Sequence, residues 1–193
     1  PGHRVAMVDG EDDPWIRPII GLGMQYFKRE LMDWKWTTVP VWPIQFGFPT
    51  RKVNFAEPKT RDFAICDPRD TSTYIYDDEA SYFRGYGEAR FGVTTKKAGW
   101  DCLRHYEILG NGCIPLFLDV AECPNGTLAS FPKERCLQVV REIDAGEPPA
   151  EVYDRHIDYF RTFTEEHLTT RALATRFMEN IAAGAAMFGD TLD

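Results

Sequence analysis

No CxxC pair occurs in the 193 residues, and the four histidines are not spaced as zinc ligands, so a zinc-ribbon or zinc-finger module is excluded. No apolar run approaches the roughly 20 residues that span a bilayer, and no signal-peptide pattern opens the chain. Positive charge is in the minority. There are 22 Lys and Arg against 30 Asp and Glu, a net charge of −8. Broad binding to nucleic acid needs the opposite balance, although a local basic pocket remains open to an acidic chain. No repeat of fixed period is present, which sets aside solenoids and propellers.

Disorder is also excluded as a description of the whole chain. Hydrophobic residues make up 44% and charged residues 27%, and 13 Phe, 8 Tyr and 5 Trp can fill a sizeable core. The five cysteines leave at least one free thiol. Cys102 and Cys113 lie in apolar stretches and read as small buried residues, and a Cys123–Cys136 disulfide is one open pairing. Asn125-Gly-Thr127 forms a glycosylation sequon, meaningful only in a secretory lumen. The chain begins Pro-Gly-His-Arg without an initiator Met and reads as a processed or excised piece. The sequence leaves its location open between the cytoplasm and, if an upstream anchor has been removed, the lumen of the secretory pathway.

Strand and helix patterns alternate through the centre of the sequence. Arg4 to Asp9 is a short apolar strand, followed by the acidic turn Asp9 to Pro14. Ile16 to Met32 carries Ile19, Ile20, Met24, Phe27 and Leu31 at roughly helical spacing, which predicts a helix at least from Gly23 onward. Thr37 to Pro49 alternates apolar residues with proline and reads as an edge strand or connector. Arg51 to Thr60 is a loop, Arg61 to Cys66 a strand, Asp77 to Gly87 a helix, and Ala89 to Thr94 a strand. Trp100 to Leu109 is a helix stopped by Gly110-Asn-Gly112, and Cys113 to Leu118 is a buried strand. Helices follow at Pro132 to Ala145, Glu151 to Thr162 and Glu165 to Ile181, with a fraying tail over residues 182–193. This order predicts an α/β fold, a Rossmann-like three-layer sandwich on a mainly parallel sheet. It divides as 1–60 (strand, helix and connector), 61–181 (the Rossmann-like domain) and the tail.

In such sheets ligands bind beyond the carboxyl ends of the strands, which singles out the loop Thr94 to Trp100. Gly99 allows close backbone approach, and the free amides opening the next helix favour an anion. Lys96, Lys97 and Arg104 add positive charge, with Thr95 a weaker candidate. Arg104 can form two parallel bonds to phosphate oxygens. Glu107 lies one turn further on the same helical face and can accept from ribose hydroxyls. His105 is a candidate base or phosphate contact, and Trp100 can stack on a base. Each also has a plainer reading: a solvated Lys-Lys loop, an Arg104–Glu107 surface pair, a structural His105, a core Trp100. A second constellation is Asp9 to Asp13. It can hold a divalent cation or supply a base from Asp9 or Asp12, but a solvated turn capping a helix at Trp15 is the simpler state. Lys28 and Arg29 are weaker candidates for reaching a diphosphate across a cleft.

The segment Lys96 to Glu107 (KKAGWDCLRHYE), followed by GNGCIP over residues 110–115, resembles the donor-binding half of exostosin-like glycosyltransferases of the GT-B type. The likeness covers Tyr82 to Leu118 and extends to Lys133. It implies that Glu107 binds the ribose, that Arg104 approaches the diphosphate, and that Gly112 and Pro115 shape the pocket wall. It further implies an inverting transfer from a nucleoside diphosphate sugar, UDP- or GDP-linked, to a glycan or glycoconjugate hydroxyl, with no metal or cofactor. A full enzyme of that type has two such domains, so here the acceptor side is minimal or removed. The alternatives are a non-catalytic sugar-nucleotide or glycan-binding module, or another Rossmann-like transferase. An S-adenosylmethionine enzyme is disfavoured because the loop after the first strand has a single glycine.

Overall fold

The computed structural model describes residues 5–17, 24–32 and 41–189, without the side chains of residues 185–189. The fold is α/β, built on two parallel three-stranded sheets. The first contains β1 (Ala6–Asp9), β2 (Gln25–Lys28) and β3 (Val41–Pro43) in that order. The second contains β4 (Arg61–Phe63), β5 (Ala89–Thr94) and β6 (Ile114–Phe117), also in chain order.

The second sheet carries helices on both faces. On one side lie α1 (Glu79–Gly87) and α2 (Leu103–Gly110). They approach so closely at Gly92 that a Cβ there would stand 3.1 Å from the side chains of Ile108 and Tyr86. The other face is covered by α4 (Pro149–Phe163), whose Tyr153 meets Phe91 edge-on at 6.1 Å, while α3 (Lys133–Asp144) packs beside β6. Phe91, Ile114, Leu116, Val139, Val152 and Phe160 are the centre of the main core. The turn from α2 into β6 depends on Gly112, at φ 65°, a conformation that costs other residues energy. Its carbonyl accepts from the Tyr153 hydroxyl at 2.9 Å, which ties α4 to this turn.

Asp78 caps α1 by accepting from the Ser81 N–H at 2.8 Å. A π-turn, Thr164–Leu168, separates α4 from α5 (Thr170–Gly189), where the sequence predicts a split. The last helix crosses to the first sheet. Phe177 packs on Phe27 at 4.5 Å, and the Gln25 side chain donates to the Ile181 carbonyl at 2.8 Å.

Several expectations change. The helix predicted over Ile16 to Met32 is absent from its described part. Trp15 to Arg17 is irregular, and Gln25 to Lys28 is the central strand of the first sheet, buried on both faces. Residues 18–23 and 33–40, on which parts of that helix and of the Thr37 to Pro49 connector fall, lie outside the described residues. Among the described residues no helix begins at Trp15 for the acidic turn to cap. The expected tail is helical as far as Gly189, because it docks on β2. All five cysteines are free, so Cys123 and Cys136 are not bridged, and Cys102 is only half-buried. No described helix is long and apolar enough to cross a membrane.

Candidate functional site

The loop between β5 and α2 stands at the carboxyl end of its strand, as the topology predicts, but its amides already hold an anion. The Glu30 carboxylate accepts from the Trp100 N–H at 3.1 Å and from the Asp101 N–H at 2.9 Å. Glu30 is 3% exposed. Gly99 does permit close approach, and what approaches is the chain itself: a Cβ at this position would lie 2.5 Å from the Glu30 carboxylate and 3.0 Å from that of Asp12.

Arg29 organises this contact. Its guanidinium donates to the Gly10 carbonyl at 2.9 Å and to the Asp101 carbonyl at 2.6 Å, and it pairs with Glu30 and Asp12. Asp101 is itself 2% exposed. It accepts from the Phe46 N–H at 2.8 Å and the Tyr106 hydroxyl at 2.6 Å. Burial pushes its carboxyl up to about 6, against the lowering effect of those donors and of Arg29.

Alongside, Lys28 has no exposed surface and pairs with Asp9 at 3.1 Å and Asp13 at 3.6 Å. Asp9 also accepts from the Tyr26 hydroxyl. Burial raises the Asp9 carboxyl, but hydrogen bonds from Tyr26, the Glu11 N–H and Lys28 outweigh it and leave its pKa below the usual carboxylate value. Burial and the Asp9 carboxylate push Tyr26 up to about 12. The acidic turn is therefore a folded lid over two buried cations. Lys28 and Arg29 sit on a strand end and its following turn, committed to internal carboxylates and closed to a ligand. Asp9 is sealed, and Asp12 is held by Arg29, so neither stands free as a base. Among the described residues no group of three or more His, Cys, Asp or Glu is arranged to hold a metal.

His105 is fully buried and stacked on Phe117 at 4.3 Å. One ring nitrogen faces the Trp100 carbonyl at 2.8 Å and must donate to it, so the other accepts from the Thr94 hydroxyl at 2.9 Å. Burial lowers its pKa to about 4. It is a neutral brace for the loop and has no route to a substrate. Trp100, 7% exposed, belongs to the core and does not present a stacking face to solvent. Lys96 and Lys97 are exposed, with the Lys96 ammonium 5.1 Å above the Trp100 ring and its N–H bound to the Asp119 carboxylate at 3.1 Å. Thr95 is half-buried beside them.

The outer face of α2 is different. Arg104 and Glu107 share it, both half-buried, with one edge open to solvent. Arg104 donates to the Tyr74 hydroxyl at 3.1 Å and lies over that ring, while its Nε is buried without a partner among the described residues. Glu107 accepts from the Tyr82 hydroxyl at 2.9 Å through one oxygen. Burial raises its pKa, against the lowering effect of Tyr82 and Arg104. Glu79 and Lys52, paired at 2.6 Å, complete the charged surroundings. Arg90 is directed away, to Asp62 at 3.0 Å.

Sequence reasoning put Arg104 and Glu107 on one helical face, where they stand, but did not anticipate their contacts with Tyr74 and Tyr82, nor the roles of Glu30 and the Asp101 carboxylate. The aromatic spacing Tyr82, Phe83, Tyr86 signals a helix packed on this strand and offers a route to Tyr82. Nothing local marks Glu30, whose partners lie 70 and 71 residues away. No family model, no curated protein and no solved structure matches this chain.

Proposed function

We propose that the chain is the donor-binding part of a glycosyltransferase, taking a nucleoside diphosphate sugar of UDP or GDP type on the outer face of α2. The observation that carries this reading is the pair Arg104 and Glu107. They project from one helical face one turn apart, and Arg104 retains a buried donor with no partner among the described residues. One Glu107 oxygen is engaged by Tyr82, which orients the group and leaves the other to accept from ribose hydroxyls. Arg104 supplies a charge-assisted contact to a diphosphate oxygen, with Lys96 and Lys97 adding field at the loop. In the transfer, the bond from the anomeric carbon to the diphosphate breaks as the acceptor oxygen attacks, and the acceptor proton passes to a base. None of the acids buried around Arg29 fills that last role.

Calorimetry with UDP, GDP and their sugars tests the assignment. Glu107→Ala should weaken nucleotide binding about tenfold with the fold intact, the loss expected for one hydrogen bond to a charged group. Arg104→Ala should weaken UDP more than uridine. Equal losses for both would refute the diphosphate role of Arg104, and unchanged affinity in Glu107→Ala would refute the ribose role of Glu107. The raised Glu107 pKa sets a sign as well. Nucleotide binding through the carboxylate should fade on acidification at a higher pH than an ordinary glutamate would give.

The occupied amides favour a second reading, a sugar-nucleotide or glycan-binding module without turnover. Glu30 holds the place where helix-opening amides would otherwise stabilise a leaving diphosphate. Tight nucleotide binding with no donor hydrolysis and no transfer to any glycan would select this reading.

A further inference from the structure

A groove of about 680 Å³ runs along the first turns of α5 and the π-turn before it, and shares no residue with the face of α2. Its volume is that of a site for a ligand of several rings. At one end Ser130 and Arg176 form a wall common to the groove and to an inner recess of about 40 Å³. Gln45 lines that recess and is 6% exposed. Its carbonyl oxygen accepts from the Ser130 N–H at 3.0 Å, but its amide nitrogen, a donor of two hydrogens, has no partner among the described residues. Buried donors are nearly always satisfied, so an orphan at a cavity wall marks the position of an acceptor. The recess is too small for a ring or a phosphate; a water occupies about 30 Å³ in the liquid, and a single hydroxyl needs no more.

The groove narrows the ligand class. Glu165, Glu166 and Glu179 line it together with Arg171, Arg176 and His167, so acidic and basic side chains are nearly equal in number and no strong field of one sign draws an ion. The Thr169 hydroxyl is engaged within the chain, donating to the Glu165 carbonyl and accepting from the Ala172 N–H, both at 3.3 Å. The hydroxyl of Thr175, an exposed residue, supplies a donor and an acceptor, and Phe163, half-buried, adds an apolar face. A hydroxyl and side chains of both charges beside an aromatic patch suit a neutral molecule rich in hydroxyl groups. We propose that this groove binds a neutral saccharide, with one sugar hydroxyl seated in the recess as the acceptor for the Gln45 amide. This binding stands independently of the α2 site. Only its further role, as the place where a glycan acceptor docks, rests on the donor-binding reading.

Amide-resolved NMR and calorimetry with neutral glucose, xylose and mannose hexasaccharides, and with an oligogalacturonate as the anionic control, test the proposal. A neutral hexasaccharide should shift the Gln45 side-chain amide and the backbone signals of residues 165–176. Gln45→Glu keeps the acceptor for Ser130 and removes the donor; it should weaken that binding about tenfold. Thr175→Trp fills the groove from an exposed position of α5 and should abolish it. UDP shifts on α2, recorded in the same samples, should be unchanged in both variants, so failure at one site is read separately from failure at the other. The proposal is overturned if no neutral sugar moves these signals, if the oligogalacturonate binds more tightly, or if Thr175→Trp binds as well as the parent.

Discussion

The strands β2 and β6 are the same length and equally buried, yet they are held by different forces. β6 is Ile-Pro-Leu-Phe, apolar throughout and enclosed by helices. β2 is Gln-Tyr-Phe-Lys, with polar groups at both ends and no water to receive them. The second sheet is stabilised by area removed from water, which is non-directional and tolerant of small shifts. The first depends on partners in fixed places. Lys28 needs Asp9, Tyr26 needs Asp9, Gln25 needs the Ile181 carbonyl, and Arg29 beyond the strand needs two carbonyls and two acids. A sheet of the second kind loses stability steeply when one partner goes.

Breaking the Lys28–Asp9 pair should show this most clearly. Lys28→Met should cost about 4 kcal/mol, because it leaves Asp9 buried with only the longer Arg17 pair at 3.9 Å, and adding Asp9→Asn to it should recover part of the loss. Chemical denaturation of the single and double variants measures both. A Lys28→Met cost below about 1 kcal/mol would put the two sheets on the same footing. In β6, Leu116→Ala should cost about 3 kcal/mol, as cavity formation does, with no partner change able to recover it.

Asp101 gives a pH signature. Its folded pKa near 6 lies above the ordinary 3.8, so its contribution to stability is complete below 3.8 and is lost as pH rises through about 6. The difference amounts to about 3 kcal/mol across that window. Asp9, shifted the other way, loses its contribution only in stronger acid, as pH falls through its lowered pKa. Urea unfolding at closely spaced pH values should show the Asp101 slope, and Asp101→Asn should flatten it. The smallest effect belongs to the α2 surface. Glu107→Ala should cost about 1 kcal/mol, the loss of the hydrogen bond from the Tyr82 hydroxyl, which is small enough to leave it a reporter of binding.

The same contrast governs what the sequence reveals. Ala89 to Thr94, Asp77 to Gly87 and Pro132 to Ala145 are legible because apolar periodicity and caps act within a few residues, and these elements match to within about three residues at each end. β2 is misread because Met24, Phe27 and Leu31 fall at helical spacing, and four residues are too few to display alternation. On the candidate site, Arg104 and Glu107 are legible through their separation of three on one helix. Glu30 is not, because its role is created by a tertiary contact that brings it to a loop 70 residues away. The phosphate-like signature of the loop is real chemistry, but the sequence does not say which anion answers it.

The docking of α5 has a consequence for the order of assembly. Phe27 and Gln25 meet residues 150 or more positions later, so the first sheet, although made before the second, cannot bury its central strand until α5 emerges from the ribosome. Contacts of such long separation form late and slowly, and the interval exposes an open strand to other chains. The nascent first sheet should therefore be the part that chaperones hold, released only when α5 closes over it.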